Sequence, residues 1–521
     1  MARTTVPFLL ILLLGTLLCA ASSREWERKR EREREQEQGR HERRGEEREE
    51  EQQGEEHRRP YVFGRRSFRS AARSEHGSIR ALRPFHEASE LLRGIRDYRV
   101  TVLEANPRSF VVPSHTDAHS IGYVVQGEGV VTTIENGEKR SYAIREGHVI
   151  VLPAGAVTYF ANTDGRRKLV IAKILHTISV PGHFQIFFGP GGRNPQSIVS
   201  SFSKSVQRAA FKTSSDRLEK LFGKQDKGII VRASEQQVRE LRRHASEGGH
   251  GQHWPLPPFG ESHGPYNLLE QRPRISNRHG QLYEADERSF RDLAEHDIRV
   301  SLVNITAGSM SAPFYNTRSI KIAYVVEGEG HAEIVCPHLS HGGQSQHGRW
   351  SERRERQGRS SEGRRREQRE SEEEEERWRE KGSESEESEE QAGQGYQTIR
   401  ARLSRGTVFV VPVGHPVVEV ASRDSNLQIA CFEVQANQNE RVYLAGQNNV
   451  LRKLDNAAKE LAFAASQKEV DEVLDAQRDQ GFFAGPEQSG GGQEREREEE
   501  RGRGRREDVA ETLLRMATGR L

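Results

Sequence analysis

Two stretches of this chain carry the same frame of β-branched and glycine residues, and they decide the fold. The first reads PSHTDAHSIGYVVQGEG over residues 113–129, and the second reads PFYNTRSIKIAYVVEGEG over residues 313–330. Both contain valine, isoleucine and tyrosine, which favour strands, and both end in glycines, which favour turns. The polar residues inside the frame differ between the copies. We therefore expect one β-structural unit that occurs twice, with different chemistry inside each copy.

Further matches on either side show that the whole unit repeats. The segment DYRVTVLEANPRSFVVP at 97–113 returns as DIRVSLVNITAGSMSAP at 297–313. The segment GHVIVLPAG at 147–155 returns as GTVFVVPVG at 406–414. The copies lie 200 residues apart in the first match and 259 apart in the second. The second unit therefore carries a long insertion between two of its strands.

Each unit is predicted to be β-structure followed by helix. Short β-branched runs broken by Gly, Pro and Asn indicate an all-β sandwich or barrel. Helical spacing follows at residues 197–222 and 234–245, where Ser234 and Gln237 have the spacing of a capping box. The second unit ends in a similar segment, and four of its apolar residues are predicted to share one helical face: Leu451, Leu454, Ala458 and Leu461. Such a face packs within the chain or against a partner subunit.

The N-terminus is predicted to be a secretory signal over residues 1–21. Arg3 precedes a short apolar run, and small residues follow at the expected cleavage site. Cleavage also removes Cys19 and leaves Cys336 and Cys431, which are too few for a disulfide framework but permit one bridge. No second long apolar run follows, so we expect no membrane association after cleavage.

The distribution of charged residues distinguishes the compact units of the chain from segments that are almost entirely polar. Charged residues make up 30% of the chain, yet the formal net charge is only +2, because acids and bases are mixed. This balance gives no field that attracts nucleic acid. Three segments have too few apolar residues to offset chain entropy and are predicted to be disordered.

These features predict the following division of the chain. Residues 1–21 are the signal peptide, and residues 22–59 are a disordered charged arm. Residues 60–245 are the first β-unit with its helical extension, and residues 246–275 are a linker. Residues 276–486 are the second β-unit with a disordered insertion at 339–394 and its own helical extension, and residues 487–521 are a charged tail that ends in a short helical segment.

The glycine and proline spacing resembles the cupin pattern G-x5-H-x-H-x4-E-x6-G followed by G-x5-P-x-G-x2-H-x3-N. In metal-binding cupins three His and one Glu converge inside a jelly-roll barrel, where they replace the hydration shell of a metal ion. In the first unit these four positions hold Pro113, His115, Ser120 and Thr158. In the second unit they hold Phe314, Asn316, Lys321 and Val417. The resemblance implies a mainly β bicupin whose two jelly-roll barrels have kept the turn residues and lost the metal ligands.

The chain as a whole resembles the vicilin-type (7S) seed storage globulins, most closely those of cereal embryos. The paired cupins carry this resemblance together with RPYVFGRRSF, LLRGIRDYRVTVLEANPRSFVVPSHTDAHSIGYV, SSFSKSVQRAAFKTSSDRLEKLF and the tail GRREDVAETLLRMA. It implies a non-enzymatic nutrient reservoir that accumulates in the protein storage vacuole, is mobilised by proteolysis at germination, needs no cofactor and assembles as a homotrimer. Composition agrees, because only 14 of the 80 basic residues are Lys and the rest are nitrogen-rich Arg.

Two other functions stay open at this stage. A metal-dependent cupin enzyme is disfavoured, because neither unit keeps a ligand set and His115 and His119 alone do not make a metal site. A cupin that binds a sugar or small acid inside its barrel is the second alternative.

The resemblance also implies a metal site outside the barrel centres. Some vicilins hold copper with a Cys, two His and a Tyr from an N-terminal strand, and Cys336, His338, His415 and Tyr61 are candidates for these ligands. A thiolate with two imidazoles suits copper or zinc. The alternative is that Cys336 pairs with Cys431 and that His338 begins the polar insertion.

One sequon for N-glycosylation is present. It begins at Asn304, in the sequence NIT, within a predicted strand. We expect a secreted chain to expose this site to glycosylation, unless the strand folds or is buried first.

Overall fold

The computed structural model describes residues 60–247, 264–337 and 396–486. The predicted signal peptide, the charged arm, the insertion and the charged tail lie outside the described residues, as does His338. No helix in the described part of the chain is long and apolar enough to cross a membrane.

The first β-unit consists of two seven-stranded sheets that pack face to face. One sheet contains, in spatial order, β15 (Tyr266–Asn267), β9 (His148–Leu152), β6 (Ala118–Gln126), β11 (Leu169–Thr177), β4 (Tyr98–Ala105), β3 (Gly77–Leu82) and β2 (Phe68–Ser74). The other contains β12 (Ile186–Phe187), β5 (Ser109–Thr116), β10 (Val157–Asn162), β7 (Glu128–Glu135), β8 (Glu138–Arg145) and β14 (Ser246–Glu247), with β13 (Ile230–Arg232) also paired to β5.

The second β-unit repeats this arrangement. Its first sheet contains β1 (Val62–Phe63), β24 (Val408–Val411), β21 (Ile320–Glu327), β26 (Leu427–Val434), β18 (Ile298–Ile305), β17 (Gly280–Ala285) and β16 (Ile275–Asn277). Its second sheet contains β23 (Gln397–Ser404), β22 (Glu329–Cys336), β25 (Val417–Ala421), β19 (Ser309–Ser311) and β28 (Phe482–Ala484), with β20 (Phe314–Asn316) paired to β25 and to β27 (Arg441–Tyr443). The predicted jelly-roll fold is confirmed in both units.

The two units exchange their first strands. Strand β1 lies at the N-terminal end of the first unit but pairs with β24 of the second, with Val62 opposite Phe409. Strand β15 precedes the second unit but pairs with β9 of the first, with Tyr266 opposite Val149. Part of the segment predicted as a linker is therefore an edge strand, although the domain boundaries as a whole remain predictions.

The strands that join the units are buried on both faces. In β6, Val124 packs inside the first barrel, whereas Ile121 and Tyr123 belong to a core that also contains residues of the second unit. Strand β9 is buried at all five positions for the same reason. This double burial explains the nearly continuous apolar runs in the sequence, because both sides of the pleat are covered.

The helical extensions are broken into short pieces. Among the described residues, α1 (Phe85–Ala88) lies between β3 and β4, and the α-helices of the extensions are α2 (Lys204–Phe211), α3 (Ser215–Phe222), α4 (Glu235–Arg243), α5 (Asn456–Phe463) and α6 (Gln467–Leu474). The capping box of Ser234 and Gln237 is confirmed at the start of α4.

The single helical face predicted near the C-terminus is wrong. Leu451 lies in a separate 3-10 helix that ends before Leu454, while Ala458 and Leu461 lie in α5. The helical backbone is interrupted between them, because Leu454 and Asp455 are both extended and a new helix starts only at Asn456.

Candidate functional site: the centres of the two barrels

The first barrel encloses a cavity of about 80 Å³ at the place that the cupin pattern gives to a metal site. His115, Ser120 and Thr158, three of the four positions named above, line it. In the first unit Ser114 is the strand partner of Thr158. In the second unit Phe314 is the strand partner of Val417, which holds the position of Thr158. The residue equivalent to Phe314 is therefore Ser114 and not Pro113. The cavity is polar at one side, but it has no cluster of metal ligands among the described residues.

Lys173 is the charged group of this cavity. It lies on β11 and shares the inward face with Ile171. Its Nζ is 4.5 Å from the ring centre of Phe160, and no described carboxylate forms an ion pair with it. Burial lowers the pKa of Lys173 to about 8, because the ammonium form loses its hydration. The Oγ of Ser120 is also buried in this cavity and has no hydrogen-bond partner among the described residues.

The second barrel is filled by an ion pair. Lys321, at the position of the cupin glutamate, donates from Nζ to the Oε1 of Glu419. The two side chains are only 2% and 1% exposed. The ammonium also lies 5.3 Å from the ring centre of Phe314, which stands at a former histidine position. This arrangement occupies the volume that a metal and its ligands fill in a metal-binding cupin.

A second group of charges lies beside this pair. Glu433 is fully buried and accepts a hydrogen bond of 2.7 Å from Arg441, with Arg299 at 3.5 Å. Arg441 also contacts Glu284 at 3.0 Å. Burial raises the pKa of the Glu433 carboxyl, but the guanidinium groups of Arg441 and Arg299 outweigh this effect and hold the pKa below its usual value. The charges of this group are thus matched by one another.

Three of the four predicted metal ligands come together at one end of the second barrel. The Oη of Tyr61 lies 3.5 Å from the Sγ of Cys336, and the Tyr61 ring lies 5.8 Å from the His415 ring in an edge-on arrangement. All three side chains are buried. Burial, followed by the contact with Cys336, raises the pKa of Tyr61 well above its usual value. His338 lies outside the described residues, so the complete ligand set remains a prediction.

Cys336 and Cys431 are both free, buried thiols. Cys431 lies in β26, beside Lys321, and burial raises its pKa to about 12. The structure therefore gives no support to the disulfide that the sequence left open.

Asn304 lies in β18, which is paired on one side to β17 and on the other to β26. Its Oδ1 is buried. Attachment of a glycan would therefore have to precede closure of the sheet, and glycosylation at this position remains a prediction.

The sequence pattern matches the cupin family model over residues 77–217 and 266–471. The chain is 67% identical to a Zea mays protein named Globulin-1 S allele, over 89% of this chain and 82% of that protein. It is 73% identical to a 63 kDa globulin-like protein of Oryza sativa subsp. japonica, over 88% of this chain and 81% of that protein. A solved vicilin of Solanum melongena, described as having different anionic ligands in structurally similar pockets, superposes with a TM-score of 0.69 at 32% identity, over 82% of this chain and 98% of that one.

The chain is a vicilin-type (7S) globulin. Vicilins are non-enzymatic seed storage proteins, and this chain has the same function. The two barrel centres agree with that assignment. The first barrel of this vicilin contains a lysine and hydroxyl groups, and the second contains a buried ion pair.

The sequence did not predict the lysine in either barrel of this vicilin as part of a charged site. Lys173 was one polar residue in the strand LVIAKILHT, and Glu419 was one acid in the strand VVEVA. The available signal was a single charged residue at an inward position of an otherwise apolar strand. That signal does not identify the partner of Lys321, because Glu419 lies 98 residues away in sequence.

Proposed function

We propose that this vicilin stores nitrogen and carbon for the seedling and is consumed by proteolysis at germination. The observation that carries the proposal is the Lys321–Glu419 pair, which fills the barrel position where a cupin enzyme binds its metal. The excess of Arg over Lys adds to it, since each Arg side chain carries three nitrogens. Immunoblots across seed maturation and germination test it: the protein should be dominant in mature seed and decline in the seedling. A trace protein of constant level would contradict the proposal.

Entry into the secretory pathway follows from the predicted signal peptide over residues 1–21, and the protein storage vacuole is the destination that we propose for this 7S globulin. Support comes from the apolar run and the small residues at its end. A fluorescent fusion to the C-terminus should accumulate in storage vacuoles, and deletion of residues 2–21 should leave it in the cytosol.

Self-association into a homotrimer is supported by apolar side chains exposed on both helical extensions. Leu221 of α3 is 66% exposed, and Leu461 of α5 and Val473 of α6 are 85% and 74% exposed. Such a surface favours burial against another subunit, and head-to-tail contacts close into a ring when their rotation permits. Native mass spectrometry should show a trimer for the wild type and monomer for Leu461→Glu, whereas Val413→Glu, in a barrel turn, should leave the trimer intact.

A copper or zinc ion held by Tyr61, Cys336, His415 and His338 remains part of this proposal. The residues described fit a soft metal, because a thiol, a phenol and an imidazole meet within one buried volume. When bound, the ion would supply a cross-link between the N-terminal strand and the second barrel. The chain needs no cofactor for storage.

Binding of a small organic anion in the first barrel is a second candidate function. Lys173 is half-buried and has no carboxylate partner among the described residues, and the Ser120 hydroxyl in the same cavity is buried with no hydrogen-bond partner among them. An anion would satisfy both groups at once. The Solanum melongena vicilin, whose description names anionic ligands in structurally similar pockets, adds support. Mass spectrometry of small molecules released from the purified protein tests this function.

A further inference from the structure

Outside both barrels, two histidines and one glutamate lie close together on the surface of the first unit. These are His86 and Glu87 of α1 and His183 of the loop between β11 and β12, and one ligand atom from each lies within 4.8 Å of the others. We propose that these three side chains form a binding site for a divalent first-row transition metal, for which Zn²⁺ is the fitting ion. The site is separate from the group of Tyr61, Cys336 and His415.

The backbone holds the two segments of this site in fixed positions. His183 follows a turn in which its N–H donates to the carbonyl of Val180 at 3.0 Å, and Gly182 adopts a φ of +71°. The guanidinium of Arg99 donates to the carbonyls of Leu82 and Gly182 at 2.6 Å and 2.7 Å. Arg99 therefore ties the strand that leads to α1 to the loop that carries His183. A site preorganised in this way loses little entropy when an ion binds.

One separation matches that of two ligand atoms bound to the same ion. The Nε2 of His183 lies 3.4 Å from the Oε1 of Glu87. Two ligand atoms bound to one tetrahedral Zn²⁺ at about 2.0–2.1 Å lie roughly 3.3 Å apart. The rings of His86 and His183 have centres 6.4 Å apart and planes inclined by 64°. A small ion fits among the three groups after minor rotation of the side chains.

His86 has coordination capacity that the described chain does not use. Its Nδ1 is buried and forms no hydrogen bond to a described residue. The imidazole therefore has no internal partner that fixes its tautomer, and a metal ion would supply one. Gly182 leaves room for the ring, since a Cβ at this residue would lie 3.2 Å from the Cε1 of His86.

Two imidazoles and one carboxylate are ligands that suit Zn²⁺, and they leave the remaining coordination position to water. His183 and Glu87 are each 49% exposed, so an ion enters directly from solvent. Bound there, it would cross-link α1 to the loop after β11. The positive charge of Arg99 nearby limits affinity, so we expect dissociation in the micromolar range rather than permanent retention.

Calorimetric titration of ZnCl₂ into chelator-treated full-length protein tests the proposal. The wild type should bind one more Zn²⁺ per chain than His183→Gln or His86→Gln, and Zn²⁺ should raise the melting temperature of the wild type but raise it less in the variants. His76→Gln is the matched control, because His76 also lies beside a glutamate, at 3.9 Å from Glu75. Without metal all three variants should melt like the wild type.

Cobalt substitution separates this site from the proposed thiolate site. The Co²⁺ absorption bands that disappear in His183→Gln should include no sulfur-to-metal charge-transfer band. The same absorption bands should be unchanged in Cys336→Ser. Equal Zn²⁺ stoichiometry and affinity in the wild type, His183→Gln and His86→Gln would overturn the proposal. So would loss of the signal in Cys336→Ser alone.

Discussion

The ammonium of Lys321 and the carboxylate of Glu419 form an ion pair at the centre of the second barrel, sealed from solvent on all sides. The pair is the counterpart of a metal centre, since it places opposite charges where a cupin enzyme has a cation and its ligands. It also explains why this barrel keeps polar residues although it has no reaction to perform. Breaking it should therefore affect stability and no activity.

Lys321→Met is expected to lower the free energy of unfolding by roughly 3–5 kcal/mol, because Glu419 would remain buried without a partner. Glu419→Leu alone should cost a similar amount, whereas the double variant should recover most of the loss. Chemical denaturation of the four proteins measures this cycle. Arg402→Met, which breaks an exposed pair with Glu329, is the control and should cost less than about 1 kcal/mol. Additive effects of the two core substitutions would contradict the account.

Lys173→Met should stabilise the protein by roughly 2 kcal/mol at neutral pH, because it removes a half-buried ammonium group whose pKa has fallen to about 8 through loss of hydration. The unfolded chain keeps the proton up to its ordinary pKa, so wild-type stability should rise between pH 8 and pH 10.5, and the variant should lack that rise. Calorimetric melting across this pH range measures both effects. Unchanged stability and pH profile in Lys173→Met would show that the amine is hydrated.

The same lysine should control anion binding in the first barrel. Acetate, used as a probe, should bind the wild type near pH 6 and weaken as pH rises through 8, since the amine loses its charge. Lys173→Met should not bind it, while Lys168→Met, which changes a lysine outside the cavity, should bind normally. Nuclear magnetic resonance titration distinguishes these outcomes, and acetate binding to Lys173→Met would contradict the second candidate function.

Acid should weaken the contact between the two units through His296. This residue lies in the second unit, its ring centre is 4.9 Å from that of His119 in the first, and His176 and Glu295 are also nearby. Burial, with His119 and His176 adding to it, lowers the pKa of His296 to about 4. The unfolded chain takes up the proton near pH 6.5 and the folded chain does not, so stability should fall between pH 6.5 and pH 4, by up to about 3 kcal/mol.

His296→Gln should remove that part of the pH dependence, as measured by melting temperature from pH 7 to pH 4. His148, whose pKa burial also lowers to about 4, keeps a residual dependence in the variant. His331→Gln, in strand β22, serves as the control and should follow the wild-type curve. An identical curve for His296→Gln would show that this histidine does not control acid sensitivity.

Exchange of β1 and β15 should keep the two units together after the chain between them is cut. A protease site placed at residues 250–256 should yield two fragments that co-elute in size-exclusion chromatography and separate only in denaturant. The reason is that each fragment contributes an edge strand to a sheet of the other. Separation of the cleaved fragments under native conditions would contradict the strand exchange.

The repeated turns were predictable from sequence because their chemistry is local. Gly127 and Gly328 lie two residues before the ends of the two opening stretches, with φ of +87° and +88°, and a Cβ at either would collide with a backbone carbonyl. Only glycine combines a favourable positive φ with the absence of a Cβ. The cupin frame could therefore be recognised from spacing, and the loss of the metal ligands could be counted on that frame.

The contents of the barrels were not predictable, because they depend on contacts between distant residues. The spacing identified Lys321 as a replaced ligand but gave no sign that Glu419 would face it. It also did not show that β1 and β15 change places, since edge-strand pairing is decided by the packing of the two units. The grouping of Tyr61 with Cys336 came from family resemblance and was not deducible from the sequence pattern alone.

The absence of a catalytic metal from both barrel centres is the central claim, and metal analysis tests it most directly. The protein should carry Cys336→Ser and His183→Gln together, so that both proposed peripheral sites are removed, and should be exposed to zinc, copper and iron before dialysis. Mass spectrometric metal analysis should then find no stoichiometric ion. One ion per chain that disappears on His115→Ala would contradict the account, because it would place a working metal site in the first barrel.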